Sequence, residues 1–172
     1  MLYRTLTPDT GYDVWAVSLR GDRKSFRVLG TTANERDAQF SPDGKWIAYE
    51  SDSTGRSEIY VQAFPKASRV FTVSNGGGFQ PRWRSDGKEL YYISADRHLT
   101  AVKVNTDATA GTVDIQSSSP LFVAPVSIEP SRQQYVVAKD GRRFLLNVEL
   151  DRDRPYPMTL ILNWKGVTKP LS

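Results

Sequence analysis

Short runs of alternating apolar and polar residues recur along the chain, separated by polar turns that contain glycine. The runs are rich in β-branched and aromatic residues, which favour strands over helices. No stretch of the sequence places apolar residues at i, i+3, i+4 and i+7 over three turns, as an amphipathic helix would. Asp43-Gly44 and Asp86-Gly87 supply the positive φ that tight connections need. The pattern predicts an all-β chain of antiparallel strands.

The strand pattern repeats with a period of about 43 residues. Phe40 aligns with Trp83 at an offset of 43, and Asp-Gly-Lys recurs at 43–45 and 86–88. A weaker third copy follows after an insertion expected within 120–132. Each unit is expected to hold four antiparallel strands, and four-stranded units of about 40–45 residues are typical of β-propeller blades. A β-sandwich is the alternative, but it gives no reason for one turn sequence to recur in one place.

The whole chain, 1–172, is therefore predicted to be one partial β-propeller domain of about four blades. The units are expected at 1–30, 37–74, 80–123 and 133–172, and the first is incomplete. Unpaired strand edges would be exposed in such a chain, and natural proteins avoid them. Three outcomes stay open: a piece of a larger propeller, an unusual small ring, or pairing with a second copy into a ring of about seven or eight blades.

Composition narrows the possible chemistry. The 172 residues include no cysteine and one histidine, His98. A disulfide scaffold, a cysteine nucleophile and a two-histidine zinc site within one chain are thereby excluded. Ser94, Asp96 and His98 lie too close in sequence to converge as a hydrolase triad. The sequence predicts no enzyme, no cofactor and no metal site.

Charge and hydropathy also limit the partners. The formal net charge of +4 does not demand a nucleic-acid partner. No apolar run approaches the roughly 18 residues that a membrane helix needs. We therefore expect neither nucleic-acid binding nor membrane insertion by this chain.

The best-formed copy of the repeat carries a specific motif. It contains Phe40-Ser41-Pro42-Asp43-Gly44, Ile47-Ala48, Ser51-Asp52, Gly55 and Glu58-Ile59-Tyr60-Val61. This copy resembles the WD40-like repeat of TolB-type β-propellers, which reads aromatic-Ser-Pro-Asp-Gly, Ile-Ala, Ser-Asp, Gly and acidic-Ile-Tyr-Val. The second copy departs from that pattern, with Arg84-Ser85 in place of Ser-Pro.

A wider set of segments extends the resemblance over nearly the whole chain. They are Tyr12-Asp13-Val14-Trp15, Val61-Gln62-Ala63-Phe64-Pro65, Gly76-Gly77-Gly78, Gln80-Pro81-Arg82-Trp83 and Leu162-Asn163-Trp164. Together they are similar to the C-terminal propeller of bacterial, notably acidobacterial, receptor-type serine/threonine protein kinases. That resemblance implies a sensory propeller in the periplasm or outside the cell; the sequence itself leaves the compartment unknown. No kinase motif is present in the chain.

The resemblance to propellers also places the expected binding surface. Connections from one blade's outer strand to the next blade's inner strand surround the channel mouth, and loops on a rigid scaffold commonly carry recognition. The residues expected to bind a protein, peptide or small ligand are Asp37, Gln39, Gly77, Phe79, Gln80 and Arg82. The loop 75–79 lacks the Gly-Lys-Ser/Thr ending of a phosphate loop, and a flexible connection is expected there.

The function expected from these observations is that of a non-enzymatic sensor or recognition module. It would be the C-terminal part of a larger propeller or of a receptor kinase. Two alternatives remain: an accessory propeller of a peptidase or other hydrolase, and a self-assembling structural half-ring that forms a homo-oligomer.

Overall fold

The computed structural model describes residues 1–67, 69–127 and 133–148, together with the backbone of Leu160–Leu162. This part of the chain contains strands and turns but no helix, and hence none long and apolar enough to span a membrane. The strands are β1 (Leu2–Thr7), β2 (Gly11–Val17), β3 (Ser25–Leu29), β4 (Glu35–Phe40), β5 (Trp46–Ser51), β6 (Glu58–Ala63), β7 (Val70–Thr72), β8 (Gly78–Trp83), β9 (Glu89–Ser94), β10 (His98–Asp107), β11 (Thr112–Val123), β12 (Tyr135–Val137), β13 (Arg143–Leu146) and β14 (Leu160–Leu162).

The strands form four antiparallel sheets in chain order, which we call blades 1 to 4. Blade 1 is β1-β2-β3, blade 2 is β4-β5-β6-β7, blade 3 is β8-β9-β10-β11 and blade 4 is β12-β13-β14. Within each blade, every strand pairs with its neighbour in sequence. The prediction of an all-β propeller fragment with an incomplete first blade is confirmed, and the described sheets do not close into a ring.

Apolar side chains fill the spaces between successive blades. Blades 1 and 2 enclose Val14, Leu29, Ile47, Tyr49 and Tyr60. Blades 2 and 3 enclose Trp46, Ala48, Ile59, Val61, Val73, Leu90, Tyr92, Val102, Val104 and Val113. Blades 3 and 4 enclose Tyr91, Ile93, Leu99, Ala124, Val126, Tyr135, Phe144 and Leu146. Aromatic residues at repeated positions are therefore core residues that hold one blade against the next.

The inner strands of blades 2 and 3 share a β-bulge at the same repeat position. Asp37 and Gln80 lie 43 residues apart and have φ values of 49° and 56°. The pairing register shifts between Arg36 and Gln39 in β4, and between Phe79 and Arg82 in β8. A positive φ is uncommon for a residue other than glycine. The bulge therefore redirects two polar residues in the strands nearest the expected channel.

Candidate functional site

The two inner strands carry five of the six residues predicted to bind a ligand. Asp37 and Gln39 lie on β4, while Phe79, Gln80 and Arg82 lie on β8. Gly77 immediately precedes β8. The structure brings Asp37 and Arg82 close enough for the Arg82 charge to act on the Asp37 carboxyl. The other four residues have roles set by packing or backbone contacts.

Asp37 is the centre of a mixed-charge cluster. Burial raises the pKa of its carboxyl, and the positive charges of Arg82, Arg4 and Arg36 oppose that shift. Its Oδ2 is buried and has no hydrogen-bond partner among the described residues. The site thus holds a carboxylate that is partly desolvated and has unused hydrogen-bonding capacity.

Four further residues join this cluster that the sequence analysis did not identify as site residues: Arg4, Tyr12, Arg36 and Glu50. The guanidiniums of Arg4 and Arg36 lie 4.9 and 5.2 Å from the centroid of the Tyr12 ring, which is cation–π distance. Arg36 Nη1 also lies 3.6 Å from Oε1 of the buried Glu50. A glutamate inside an otherwise apolar strand is a signal that could have pointed to Glu50. Nothing local in the sequence pairs Arg4 with Tyr12, because their proximity depends on the fold.

Arg82 is buried between blades 3 and 4. Its Nη1 donates a hydrogen bond of 2.7 Å to the carbonyl of Pro81, and its guanidinium carbon lies 5.7 Å from the Tyr135 ring centroid. Its Nε is buried and lacks a partner among the described residues, as does Nε of Arg36. The cluster therefore presents one acceptor atom and two donor atoms that remain unused.

Gln80 connects blade 3 to the blades on either side. Its backbone N–H donates to Oε2 of Glu50 at 3.4 Å, and its side-chain Oε1 accepts from the backbone N–H of Gln134 at 2.9 Å. The Tyr135 hydroxyl donates to the Gln80 carbonyl at 2.9 Å. These contacts give Gln80 a bridging role inside the fold.

Gln39 and Phe79 are engaged by their own neighbours. Gln39 pairs in register with Ala48 of β5 and is half-buried. Phe79 packs against the apolar cluster between blades 3 and 4. Of the residues predicted from the sequence, Asp37 and Arg82 thus carry the polar chemistry of the candidate site.

The glycine loop before β8 is held in place by hydrogen bonds, whereas the sequence led us to expect a flexible connection. The N–H groups of Gly76 and Gly77 each donate a 3.0 Å hydrogen bond to Oε1 of Glu58. Oε2 of the same carboxylate accepts from Ser74 Oγ. Gly77 has a φ of 102°, and a Cβ atom there would lie 2.8 Å from that of Ala95. The loop is an anion-binding nest whose anion is the internal carboxylate of Glu58.

The described residues contain no group of three or more histidine, cysteine, aspartate or glutamate side chains arranged to hold a metal ion. What the Arg36–Asp37–Arg82 cluster can do is bind a polar group that offers both donors and acceptors. Backbone amides of a peptide have that character.

Comparisons with solved structures agree with the fold. Oligogalacturonate lyase from Vibrio parahaemolyticus matches with a TM-score of 0.51 and 15% identity, over 85% of this chain and 35% of that chain. A functionally unknown protein from Desulfotomaculum acetoxidans matches with a TM-score of 0.51 and 14% identity, over 80% and 44%. TolB from Acinetobacter baumannii matches with a TM-score of 0.48 and 16% identity, over 96% and 51%.

These matches show the fold alone, since all the identities are low. The fold assignment rests on the first two structures and on the sheets themselves. The chain spans about a third to a half of the length of the structures that it matches. No protein-family model matches the sequence, and the comparison with curated proteins finds no match.

Proposed function

We propose that this chain is a non-enzymatic recognition module, and that its ligand binds at the Arg36–Asp37–Arg82 cluster. One observation carries the proposal: each of these residues contributes a buried polar atom without a hydrogen-bond partner among the described residues. Leaving such an atom unsatisfied costs about 1–3 kcal/mol, and most buried polar atoms in proteins are satisfied. A ligand that supplies the missing partners would remove that penalty.

A peptide segment of a protein is the ligand class that fits the cluster best. Because these three atoms are buried, their side chains would turn toward the ligand as it binds. Asp37 Oδ2 would then accept a hydrogen bond from a peptide N–H, and Nε of Arg82 or Arg36 would donate to a peptide carbonyl. The positive φ at Asp37 and Gln80 fixes the backbone that presents these groups. Such preorganisation reduces the entropy lost on binding.

The resemblance to receptor-type kinases supports a more specific role, which we also propose: that of the sensory propeller of such a kinase. Its support is the set of segments from Tyr12-Asp13-Val14-Trp15 to Gln80-Pro81-Arg82-Trp83. The genomic sequence upstream of the Met1 codon tests this role directly. An in-frame kinase domain with a membrane helix would support it, whereas an in-frame peptidase or lyase domain would contradict it.

Panning a phage library of random linear peptides against the immobilised chain tests recognition at the cluster. The wild type should enrich a family of related peptides. Arg82→Gln and Asp37→Asn should each lose that enrichment, and Asp37→Asn is included because asparagine tolerates a positive φ. Arg56→Gln is the matched control, since Arg56 is exposed and lies outside the cluster.

Two results would contradict the proposal. One is enrichment of the same peptides by wild type and by both cluster variants. The other is catalytic turnover of a peptide, an ester or oligogalacturonate that disappears in Arg82→Gln, because the cluster would then belong to an active site. The proposal predicts no turnover of these three substrate classes.

A further inference from the structure

The positive charge of blades 1 and 2 is concentrated in the loops at one end of their strands. Three loops follow β2, β4 and β6 at that end, namely 18–24, 41–45 and 64–69. Together they carry six lysine and arginine residues and two aspartates. The loops at the opposite end, 8–10, 30–34, 52–57 and 74–77, carry one arginine and two aspartates. One side of the two blades is therefore basic and the other is not.

Two of the basic loops are held side by side by aromatic packing. The loop 18–24 joins β2 to β3, and the loop 64–69 joins β6 to β7. The rings of Phe26 and Phe64 stack with their centroids 6.1 Å apart, and Phe64 packs edge to face against Phe40 at 4.8 Å. The two loops therefore form one surface, which we call the basic face. Its exposed residues are Leu19, Arg20, Arg23, Lys24, Lys66 and Arg69.

The charge of the basic face is not neutralised within the fold. Asp22 is the one acidic residue of the two loops, and its carboxylate is engaged by its own loop. Oδ1 accepts from the Lys24 N–H at 3.4 Å, and Oδ2 lies 3.3 Å from Lys24 Nζ. Arg20, Arg23 and Lys66 form no ion pair with any described residue. A surplus of positive charge is thus exposed to solvent.

Exposed apolar side chains lie among these charges. Leu19 is 65% exposed, and Phe26 and Val70 on the flanking strands are 44% and 53% exposed. The loop that presents Leu19 is held by Ser18 Oγ, which donates to the Arg20 carbonyl at 2.7 Å and accepts from the Arg20 N–H at 3.2 Å. Apolar side chains beside lysine and arginine on one surface are typical of binding to the interface of an anionic bilayer.

We propose that the basic face binds the surface of an anionic lipid bilayer, with its cations at the headgroups and Leu19 at the boundary between headgroups and acyl chains. Electrostatic attraction and buried apolar area both strengthen such binding. Each basic residue close to the surface contributes about fivefold in affinity. The binding is peripheral and needs no membrane-spanning segment. An acidic protein would also attract the charges, but charge pairing alone gives no role to Leu19.

The basic face is separate from the ligand-binding cluster proposed above. Arg36, Asp37 and Arg82 lie on the inner strands and outside the two loops. Arg82→Gln should therefore bind vesicles as the wild type does while losing peptide enrichment. Failure of vesicle binding would leave recognition at the cluster untouched, so the two proposals can fail separately.

Co-sedimentation with large unilamellar vesicles tests the proposal on the intact chain. The wild type should bind vesicles of equimolar phosphatidylcholine and phosphatidylglycerol, and bind vesicles of phosphatidylcholine alone much more weakly. R20Q/R23Q should bind the anionic vesicles about 20-fold more weakly. Leu19→Ser should weaken that binding by about threefold or more. Binding should also fall with added salt, because the Debye length shrinks from roughly 10 Å at 0.1 M to roughly 3 Å at 1 M.

The matched control is R56Q/R97Q, which removes the same charge at the opposite end of the strands. Arg97 and Arg23 are both exposed arginines with positive φ, at 64° and 51°, and Arg56 is also exposed. This variant should bind as the wild type does, and circular dichroism checks that every variant is folded. No binding to the anionic vesicles, or equal binding by wild type and R20Q/R23Q, would overturn the proposal. Unchanged binding by Leu19→Ser would overturn it as well, by assigning the basic face to an acidic protein or polymer.

Discussion

Blades 1 and 2 come from the same repeat, yet they are packed differently. Every residue of β5 is buried, whereas the equivalent strand β1 has no buried residue and exposes 69% of Leu6. The two strands are similarly apolar: Leu2 and Tyr3 correspond to Ala48 and Tyr49. Burial in this fold is therefore set by the inner strand and the blades on either side, rather than by the strand's own sequence.

The acidic residue near the start of β6, and its counterpart in β2, show the same contrast. Glu58 in blade 2 accepts hydrogen bonds from Ser74, Gly76, Gly77 and Arg56. Asp13, its counterpart in blade 1, accepts from Thr7 at 3.1 Å and lies 3.5 Å from Arg27 Nη1, while its buried Oδ1 has no partner among the described residues. The glutamate has one more methylene and reaches the loop after the next strand, so it fastens one blade to the next.

The largest predicted effect compares large-to-small substitutions in the two blades. Trp46→Ala should lower the free energy of unfolding by about 3–5 kcal/mol, because Trp46 is fully buried between blades 2 and 3. Tyr3→Ala in blade 1 should lower it by about 1 kcal/mol or less, since Tyr3 is only half-buried. Urea denaturation followed by fluorescence measures both. Equal losses would show that blade 1 is as well packed as blade 2.

The next effect concerns the carboxylate that holds the glycine loop. Glu58→Gln should destabilise the fold by about 2 kcal/mol, because charge-assisted hydrogen bonds at a buried site become weaker neutral ones. Asp13→Asn in blade 1 should cost about 1 kcal/mol or less, since Asp13 accepts fewer bonds. The same denaturation measurement compares the two. A larger loss from Asp13→Asn would reverse the interpretation of the two positions.

The pH dependence of stability gives Glu58 a second test. Burial raises the pKa of Glu58, but hydrogen bonds from Ser74 Oγ, the Gly76 N–H and other donors outweigh it, so the pKa lies below 4.5. The folded state therefore favours the charged form. The resulting stability is fully present above the unfolded pKa and is lost as pH falls through the folded pKa. Urea midpoints measured between about pH 3 and 6 should fall with pH in the wild type. They should fall less in Glu58→Gln, because glutamine at this position does not titrate.

These contrasts indicate what could be predicted from the sequence. The 43-residue period and the Asp43-Gly44 turn identify the blades, because turn chemistry and strand alternation are local. The hydrogen bonds from the N–H groups of Gly76 and Gly77 to Glu58 could not be predicted, since they depend on how far the Glu58 side chain reaches across the sheet. The positive φ at Asp37 could not be predicted either, because the residue at the bulge is not a glycine.

Asp37 lies where blades 1 and 2 meet. Removing its charge should stabilise the fold slightly, whereas the substitutions above destabilise it. Burial raises the pKa of Asp37, with Arg82, Arg4 and Arg36 opposing. The ionised carboxylate is thus a net destabilising group, fully so above its folded pKa and not at all below its unfolded pKa. Asp37→Asn should raise stability at pH 7 by about 1 kcal/mol or less while weakening ligand binding.

The matched control at this position is Asp37→Ala. It removes the same charge but places alanine at a φ of 49°, a conformation that asparagine tolerates better. At pH 7 the melting temperature of Asp37→Asn should therefore be higher than that of Asp37→Ala. If both variants melt below the wild type, the carboxylate stabilises the junction and the sign of this prediction is wrong.

The smallest effects come from two exposed arginines, and their order is informative. Arg56 lies 2.7 Å from Glu58, and Arg27 lies 3.5 Å from Asp13; their side chains are 60% and 49% exposed. Distance alone would make the Arg56 pair the stronger one. Glu58, however, keeps three other donors when Arg56 is removed, whereas Asp13 keeps only the Thr7 hydroxyl among the contacts described here. A buried carboxylate with few donors depends more on each of them.

Arg27→Ala should therefore cost about 0.5–1 kcal/mol, and Arg56→Ala less than about 0.5 kcal/mol, within the range for exposed ion pairs. Urea midpoints at low and high salt measure both losses, and the Arg27 effect should shrink as salt screens the pair. If Arg56→Ala proved the more damaging, the short contact would outweigh the number of donors. The difference between the two blades would then lie in pair geometry and not in how completely each carboxylate is satisfied.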